Sequence, residues 1–194
     1  MTDQADRLRD LMQQHDRHRH LDRQQPSLHR FVCVDGPGVN VSRSFTGAFI
    51  PAVRRLVQEW SVSVPQLEWV EEDEGLPLLN PSPSVGDALD DAVVCIRPEI
   101  DERLLLFWLR NWRPWAVANQ RWLVVQASSG LLSARWAAHR LQSCIQNEWD
   151  GFTRVLGYLF GTPGMSLFQA SVEQMARNYV RFAASVDPKS CRGE

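Results

Sequence analysis

The sequence predicts an α+β domain built on a small mixed sheet, with a helical C-terminal third. Short apolar runs closed by glycine or proline alternate with stretches whose apolar residues recur every three to four positions. The connections between them read as a mixture of hairpins and crossovers. From residue 131 onward helical spacing dominates. The chain has 194 residues, 44% of them apolar, which suits one core that needs neither disulfide nor metal for stability. The expected organisation is an N-terminal helical arm over 1–29, one globular domain over 30–186 and a polar, disordered tail over 187–194.

In chain order, residues 3–21 carry a thin apolar stripe (Leu8, Leu11, Met12) and read as a solvated helix ended by Gln24-Gln25-Pro26-Ser27. Arg30-Phe31-Val32-Cys33-Val34-Asp35 reads as a strand stopped by Gly36-Pro37-Gly38. Residues 47–60 space Phe49, Val53, Leu56, Val57 and Trp60 as a helix, and 66–70 alternate as a strand. An acidic turn at 71–75 and a proline-rich loop at 76–83 lead to a third strand at 92–96, halted by Pro98. Residues 101–112 are helical, with Asp101 suited to the N-cap. Two strands, 115–118 and 122–127, are expected around a turn at Asn119-Gln120. Helices are expected over 131–148, 150–160 and 165–184, the last after the breaker Gly161-Thr162-Pro163-Gly164 and packed on the core through Phe168, Val172, Met175 and Tyr179.

Composition excludes several chemistries. Net charge is −2, so the chain as a whole is no basic nucleic-acid binder. The sole lysine, Lys189, lies in the tail, so the body has no Walker A or Schiff-base lysine. Cys33, Cys95, Cys144 and Cys191 form no Cys-x-x-Cys pair, and the first two sit in apolar runs as buried hydrophobes. His15, His18 and His20 do not share one helical face and sit among Arg17 and Arg19, so no metal site is expected there. No signal peptide or membrane-spanning run is visible, and a cytoplasmic location is expected, with any inner-membrane association made through a partner.

Charge is segregated along the chain. Residues 59–96 hold nine acids and no base, whereas 103–147 hold six arginines and no acid. The two blocks either pair with each other or leave arginines for phosphate or an acidic protein face. Arg110, Arg113, Arg121 and Arg140 are the candidate nucleic-acid contacts, interleaved with Trp108, Trp112, Trp115, Trp122 and Trp136. Trp108 and Trp112 lie four apart on an apolar helix face and are expected in the core, so one or two exposed tryptophans at most are expected overall.

The segment from 101 to 138 runs helix, Arg113-Pro114-Trp115-Ala116-Val117, return strand Arg121-Trp122-Leu123-Val124-Val125, Gly130, then a helix opening with Ala134-Arg135-Trp136-Ala137-Ala138. This order resembles the nucleotide-binding core of the ParB/sulfiredoxin superfamily, and within it the plasmid oncogenic-suppression (fertility-inhibition) proteins. The resemblance spans roughly 45 residues and implies that Ser128, Ser129, Gly130, Ser133 and Arg135 cradle phosphate. It implies ATP or another nucleotide and DNA as ligands, and weak ATPase or DNase activity. It also implies a bacterial protein that blocks DNA transfer through a type IV secretion system near its coupling protein. Several extra residues separate Gly130 from Arg135 relative to that pattern, and no sulfiredoxin-type catalytic cysteine stands near the turn.

Two other constellations carry chemistry. The loop from Asp35 to Ser44 follows a strand and precedes a helix, where α/β proteins bind phosphorylated ligands; Gly36, Gly38, Ser42, Arg43 and Ser44 are its anion candidates. On that reading the chain is a small doubly wound α/β enzyme. Asp90 and Asp91, with Glu99, Asp101 and Glu102, are candidate carboxylates for a divalent ion. An inert tryptophan-rich adaptor is the third reading.

Overall fold

A computed structural model describes residues 28–62, 64, 66–69, 89–127, 130–149 and 152–186. The expected arm helix, the acidic turn, the proline-rich loop, Ser128, Ser129 and the tail lie outside the described residues. Five strands form one sheet: β1 (Leu28–Asp35), β2 (Gln66–Trp69), β3 (Asp91–Ile96), β4 (Gln120–Ala127) and β5 (Thr153–Phe160). Five helices accompany them: α1 (Ser42–Trp60), α2 (Glu102–Asn111), α3 (Arg113–Val117), α4 (Leu131–Gln146) and α5 (Ser166–Val186). Helices and a small central sheet combine as expected. The sheet, however, is parallel at every pairing rather than mixed, in the order β2-β1-β3-β4-β5. This is one of the common doubly wound orders.

Helices cover both sides of the sheet. On β3, Val93 and Cys95 face α1 and α5, whereas Ala92, Val94 and Ile96 face α2, α3 and α4. Every residue of β3 is buried, because a parallel strand covered on both faces gains nothing from polar alternation. On the first side Phe49 stacks on Phe31 and Phe45 at 5.6 and 5.0 Å and meets the Tyr179 ring edge-on at 5.6 Å. Phe168, Val172, Met175 and Tyr179 of α5 are buried against this cluster, as their spacing predicts. On the second side Trp112 and Trp115, both buried, pack 6.2 Å apart.

Two expected elements take another form. The segment expected as strand 115–118 is the short helix α3, so no hairpin forms and β4 reaches the sheet by a crossover. Pro114 sits in the first turn of α3, where its missing N–H costs nothing. The carbonyls at the other end receive Arg121: its Nε donates to Trp115 at 2.7 Å and its Nη2 to Ala116 at 3.1 Å. The segment expected as helix 150–160 is strand β5. Its register against β4 slips by one residue between Val155 and Gly157, so Thr153, Leu156 and Leu159 become the buried positions. A bulge thus gives a strand the every-third-residue spacing that a sequence reading assigns to a helix.

Helix α1 starts five residues earlier than its apolar spacing predicts. Asp35, seven residues upstream of Ser42, caps it: its Oδ1 accepts the N–H groups of Val41 (2.8 Å) and Ser42 (2.9 Å), and its Oδ2 accepts the Ser42 hydroxyl (2.7 Å). Between Asp35 and this cap the chain must pass tightly over β3. Gly36 donates its N–H to the Cys95 carbonyl at 2.8 Å, and any Cβ there would lie 3.1 Å from that oxygen and from Ile96 Cγ2. Glycine suits this close approach, since a Cβ would force its neighbours to give by a few tenths of an ångström.

Candidate functional site

Doubly wound sheets bind ligands beyond the carboxyl ends of their strands, where the helices begin. Of the four helix starts along that edge, those of α1, α2 and α4 differ in how their first N–H groups are satisfied. At α1 the Asp35 carboxylate takes them, and Gly36 is engaged with Cys95. Of the loop's anion candidates, Ser42 is therefore held by a resident carboxylate, and Gly38, at φ +76°, serves the turn. Arg43 and Ser44 are exposed on the first turn of α1. An incoming anion would meet the Asp35 charge at this helix start, which opposes binding. At α2, Asp101 Oδ1 accepts the Leu104 N–H at 3.0 Å, the N-cap its position predicts.

At α4 no described side chain is seen to accept from the first N–H groups of the helix. Gly130 occupies the N-cap with φ +53°, a conformation that favours glycine, and the Ser133 hydroxyl donates to the Gly130 carbonyl at 3.0 Å, closing the turn. The first N–H groups of a helix have no intrahelical partner and carry the positive end of its dipole. Gly130, Ser133 and Arg135 are all exposed here, with Arg135 on the second turn, from which helical side chains lean back toward the N-terminus. Ser128 and Ser129, assigned to the same turn by the resemblance, lie outside the described residues.

The nucleic-acid candidates stand in different settings. Arg121 is buried and braces α3, and burial lowers its pKa. Arg110 pairs with Glu148 at 2.5 Å and Arg140 with Glu102 at 2.9 Å, so each meets a glutamate outside the acidic block. The side chain of Arg113 is not among those described. A groove of about 580 Å³ between α1 and α5, lined by Ser44, Gly47, Pro51, Arg55, Gln169 and Glu173 among others, is spanned by the Arg55–Glu173 ion pair.

A dense polar cluster lies at the opposite, amino edge of the sheet. Asp91, 1% exposed at the start of β3, accepts from Trp122 Nε1 at 2.7 Å, Tyr179 Oη at 2.6 Å and His29 Nε2 at 2.7 Å. Asp90 beside it accepts the Arg30 N–H at 3.0 Å and stands 4.0 Å from His29 Nδ1. Asp90 and Asp91 are thus separated from Glu99, Asp101 and Glu102 by the length of β3, about 3.3 Å per residue, and these carboxylates do not form one ion site. Among the described residues no three His, Cys, Asp or Glu side chains gather as a metal-binding group. Burial, with Asp91 alongside, pushes the Tyr179 phenol far above its usual range. The sequence signal for this cluster is a polar pair, Asp90-Asp91, standing directly before a fully apolar run.

Burial alone would lower the pKa of His29, but its hydrogen bond to Asp91 and the charges of Asp91 and Asp90 outweigh this and raise it above 6.5. A base with a raised folded pKa stabilises fully below its unfolded value, and the contribution fades as pH rises through the folded value. Stability should therefore fall as pH rises above the ordinary histidine range. Urea melts at about pH 6 and about pH 8.5 test this: the fall should be smaller in His29→Gln, and an identical pH profile would refute the assignment.

Cys33 and Cys95 are buried with their sulfurs 3.8 Å apart, as structural thiols; the contact with Cys33 and burial both push the Cys95 thiol up. Among the described residues no helix is long and apolar enough to cross a membrane. No protein-family model matches the chain, and no curated protein matches it.

Proposed function

We propose that the chain binds a nucleotide or another phosphorylated ligand at the carboxyl edge of the sheet, with a phosphate at the start of α4. The observation that carries this reading is that, among the described residues, α4 alone of the three compared helix starts shows no carboxylate cap, while Arg135 stands exposed on its second turn. The Leu131 and Leu132 N–H groups donate to the phosphate, the Gly130 turn gives the ligand access, and Arg135 supplies a charge-assisted contact. A divalent ion, where one is needed, arrives with the phosphates. The resident Asp35 makes the Asp35–Ser44 loop the poorer candidate for the same ligand.

Arg135→Ala should weaken ATP binding by about 1.5–3 kcal/mol in titration calorimetry, whereas Arg43→Ala should leave it unchanged. Failure of the wild type to bind nucleotide, or equal binding by Arg135→Ala, would reject this site. The wider role belongs to the same proposal: inhibition of DNA transfer through a type IV secretion system, exerted on its coupling protein, with weak ATPase or DNase activity. It is supported by the resemblance over 101–138, and a conjugation assay with the protein expressed in donor cells tests it.

A further inference from the structure

The outer side of α4 holds side chains that the phosphate reading does not use. Its buried positions are Ala134, Ala138, Leu141 and Ile145. At 100° per residue the diametrically opposite line passes through Leu132, Trp136, His139 and Ser143. Leu132 is 73% exposed and Trp136 78% exposed, four residues apart and so side by side on the helix surface. Two large apolar groups left mostly in solvent on the outer face of a docked helix stand outside both cores, and adjacent exposed apolar side chains mark contact surfaces. The neighbouring helix α2, tied to α4 by the Glu102–Arg140 pair, adds Leu104 and Phe107 on its own outer side, the latter 65% exposed.

Charge selects the occupant. Within the bounds of α2 and α4 stand four arginines (Arg103, Arg110, Arg135, Arg140) and one acid, Glu102. Arg140 and Arg110 are matched by Glu102 and Glu148, whereas Arg103 and Arg135 make no ion pair among the described residues. A second copy docked on this face would set uncompensated arginine against arginine, which costs affinity. Two uncompensated arginines contribute only about 1 kcal/mol each toward an anionic bilayer, well short of the four to eight basic residues typical of lipid-binding clusters.

We propose that the outer face of α4 is a docking surface for an acidic amphipathic helix of a partner protein, with Trp136 as its central anchor and Leu132 beside it. The partner's apolar side chains cover Trp136 and Leu132, and its flanking carboxylates face Arg135 and Arg103. Tryptophan and arginine are the residue types on which binding energy concentrates. This inference does not rest on the phosphate reading: Trp136 has no part in that site, and Arg135, the one residue common to both, faces the partner's carboxylate when no phosphate is bound.

The test uses a fluorescein-labelled peptide of about 18 residues, long enough to hold a helix, with leucines at i and i+4 spacing flanked by glutamates. Beside it stand a version with lysines for the glutamates and a scrambled glutamate–leucine version. Fluorescence anisotropy with the full chain should show binding of the acidic helix only. Trp136→Ser should weaken it at least about tenfold, Trp136→Phe should retain most of it, and rising salt should loosen it. Circular dichroism and nucleotide titration of Trp136→Ser should match the wild type, separating loss of this surface from loss of the fold or of the phosphate site. No binding of the acidic peptide, or equal binding of the lysine peptide, would overturn the proposal. So would binding unchanged in Trp136→Ser. Phosphatidylserine vesicles or an oligothymidylate binding through Trp136 in place of the peptide would overturn it as well. A concentration-dependent dimer abolished by Trp136→Ser would assign the face to a second copy instead.

Discussion

Asp91→Ala should lose about 3–5 kcal/mol of folding stability, the cost of removing one partner from a buried polar network. The carboxylate receives Trp122 of β4, Tyr179 of α5 and His29 of β1, so one side chain at the head of β3 joins four elements. Its removal leaves the Trp122 N–H and the Tyr179 hydroxyl buried without an acceptor, each worth about 1–3 kcal/mol of desolvation. Asp91→Asn keeps one carbonyl oxygen and should lose less than Asp91→Ala. Urea denaturation at neutral pH decides: a midpoint shift at constant slope reads the loss directly. A loss below about 1 kcal/mol for Asp91→Ala would show that the network contributes little to holding α5 on the sheet.

Phe49→Ala should be as damaging for a different reason. Phe49 is fully buried in the middle of α1, with Phe31, Phe45 and Tyr179 around its ring. Truncating a buried phenylalanine costs about 3–5 kcal/mol through lost transfer energy and the cavity left behind, and each ring pair adds roughly 0.5–1.5 kcal/mol. For a chain of this length the melting temperature should drop by about 10 °C or more. Phe49→Leu, which refills most of the volume, should recover a large part of the loss. Equal melting temperatures for wild type and Phe49→Ala would mean that α1 packs on the sheet by other contacts.

Both predictions depend on residues whose partners are remote in the chain, and that is where sequence reading and structure part. Asp91 and Tyr179 are 88 positions apart, and His29 and Asp91 are 62 apart. Nothing in the local pattern around Asp91 distinguishes a buried acceptor from an ion ligand, so a sequence reading groups it with Glu99, Asp101 and Glu102. The tryptophans are more legible. Trp112, Trp115 and Trp122 are buried, whereas Trp136 and, less fully, Trp60 are exposed, in keeping with the expected one or two. Trp115 and Trp122 lie on opposite faces of the sheet. The turn at Gly130 and the helix carrying Arg135 stand where the sequence predicts them, because glycine at a positive φ and helical spacing are local signals.

What the sequence determined alone was therefore whatever short-range physics decides. The apolar runs of β1 and β3, the 3.6-residue spacing of α2, α4 and α5, the Asp101 cap and the buried placement of Cys33 and Cys95 all follow from neighbours within a turn or a strand. Only the tertiary structure decided the rest. Arg121 reaching back to the carbonyls of Trp115 and Ala116 stabilises a helical turn where proline and β-prone residues suggest a strand. A one-residue slip against β4 turns the spacing of β5 into a false helical signal. Asp35, seven positions away, sets where α1 begins, and pairing of β1 with both β2 and β3 helps make the sheet parallel throughout. These outcomes hang on hydrogen-bond partners and strand neighbours brought together by folding, and a periodicity measured over a few residues carries no record of them.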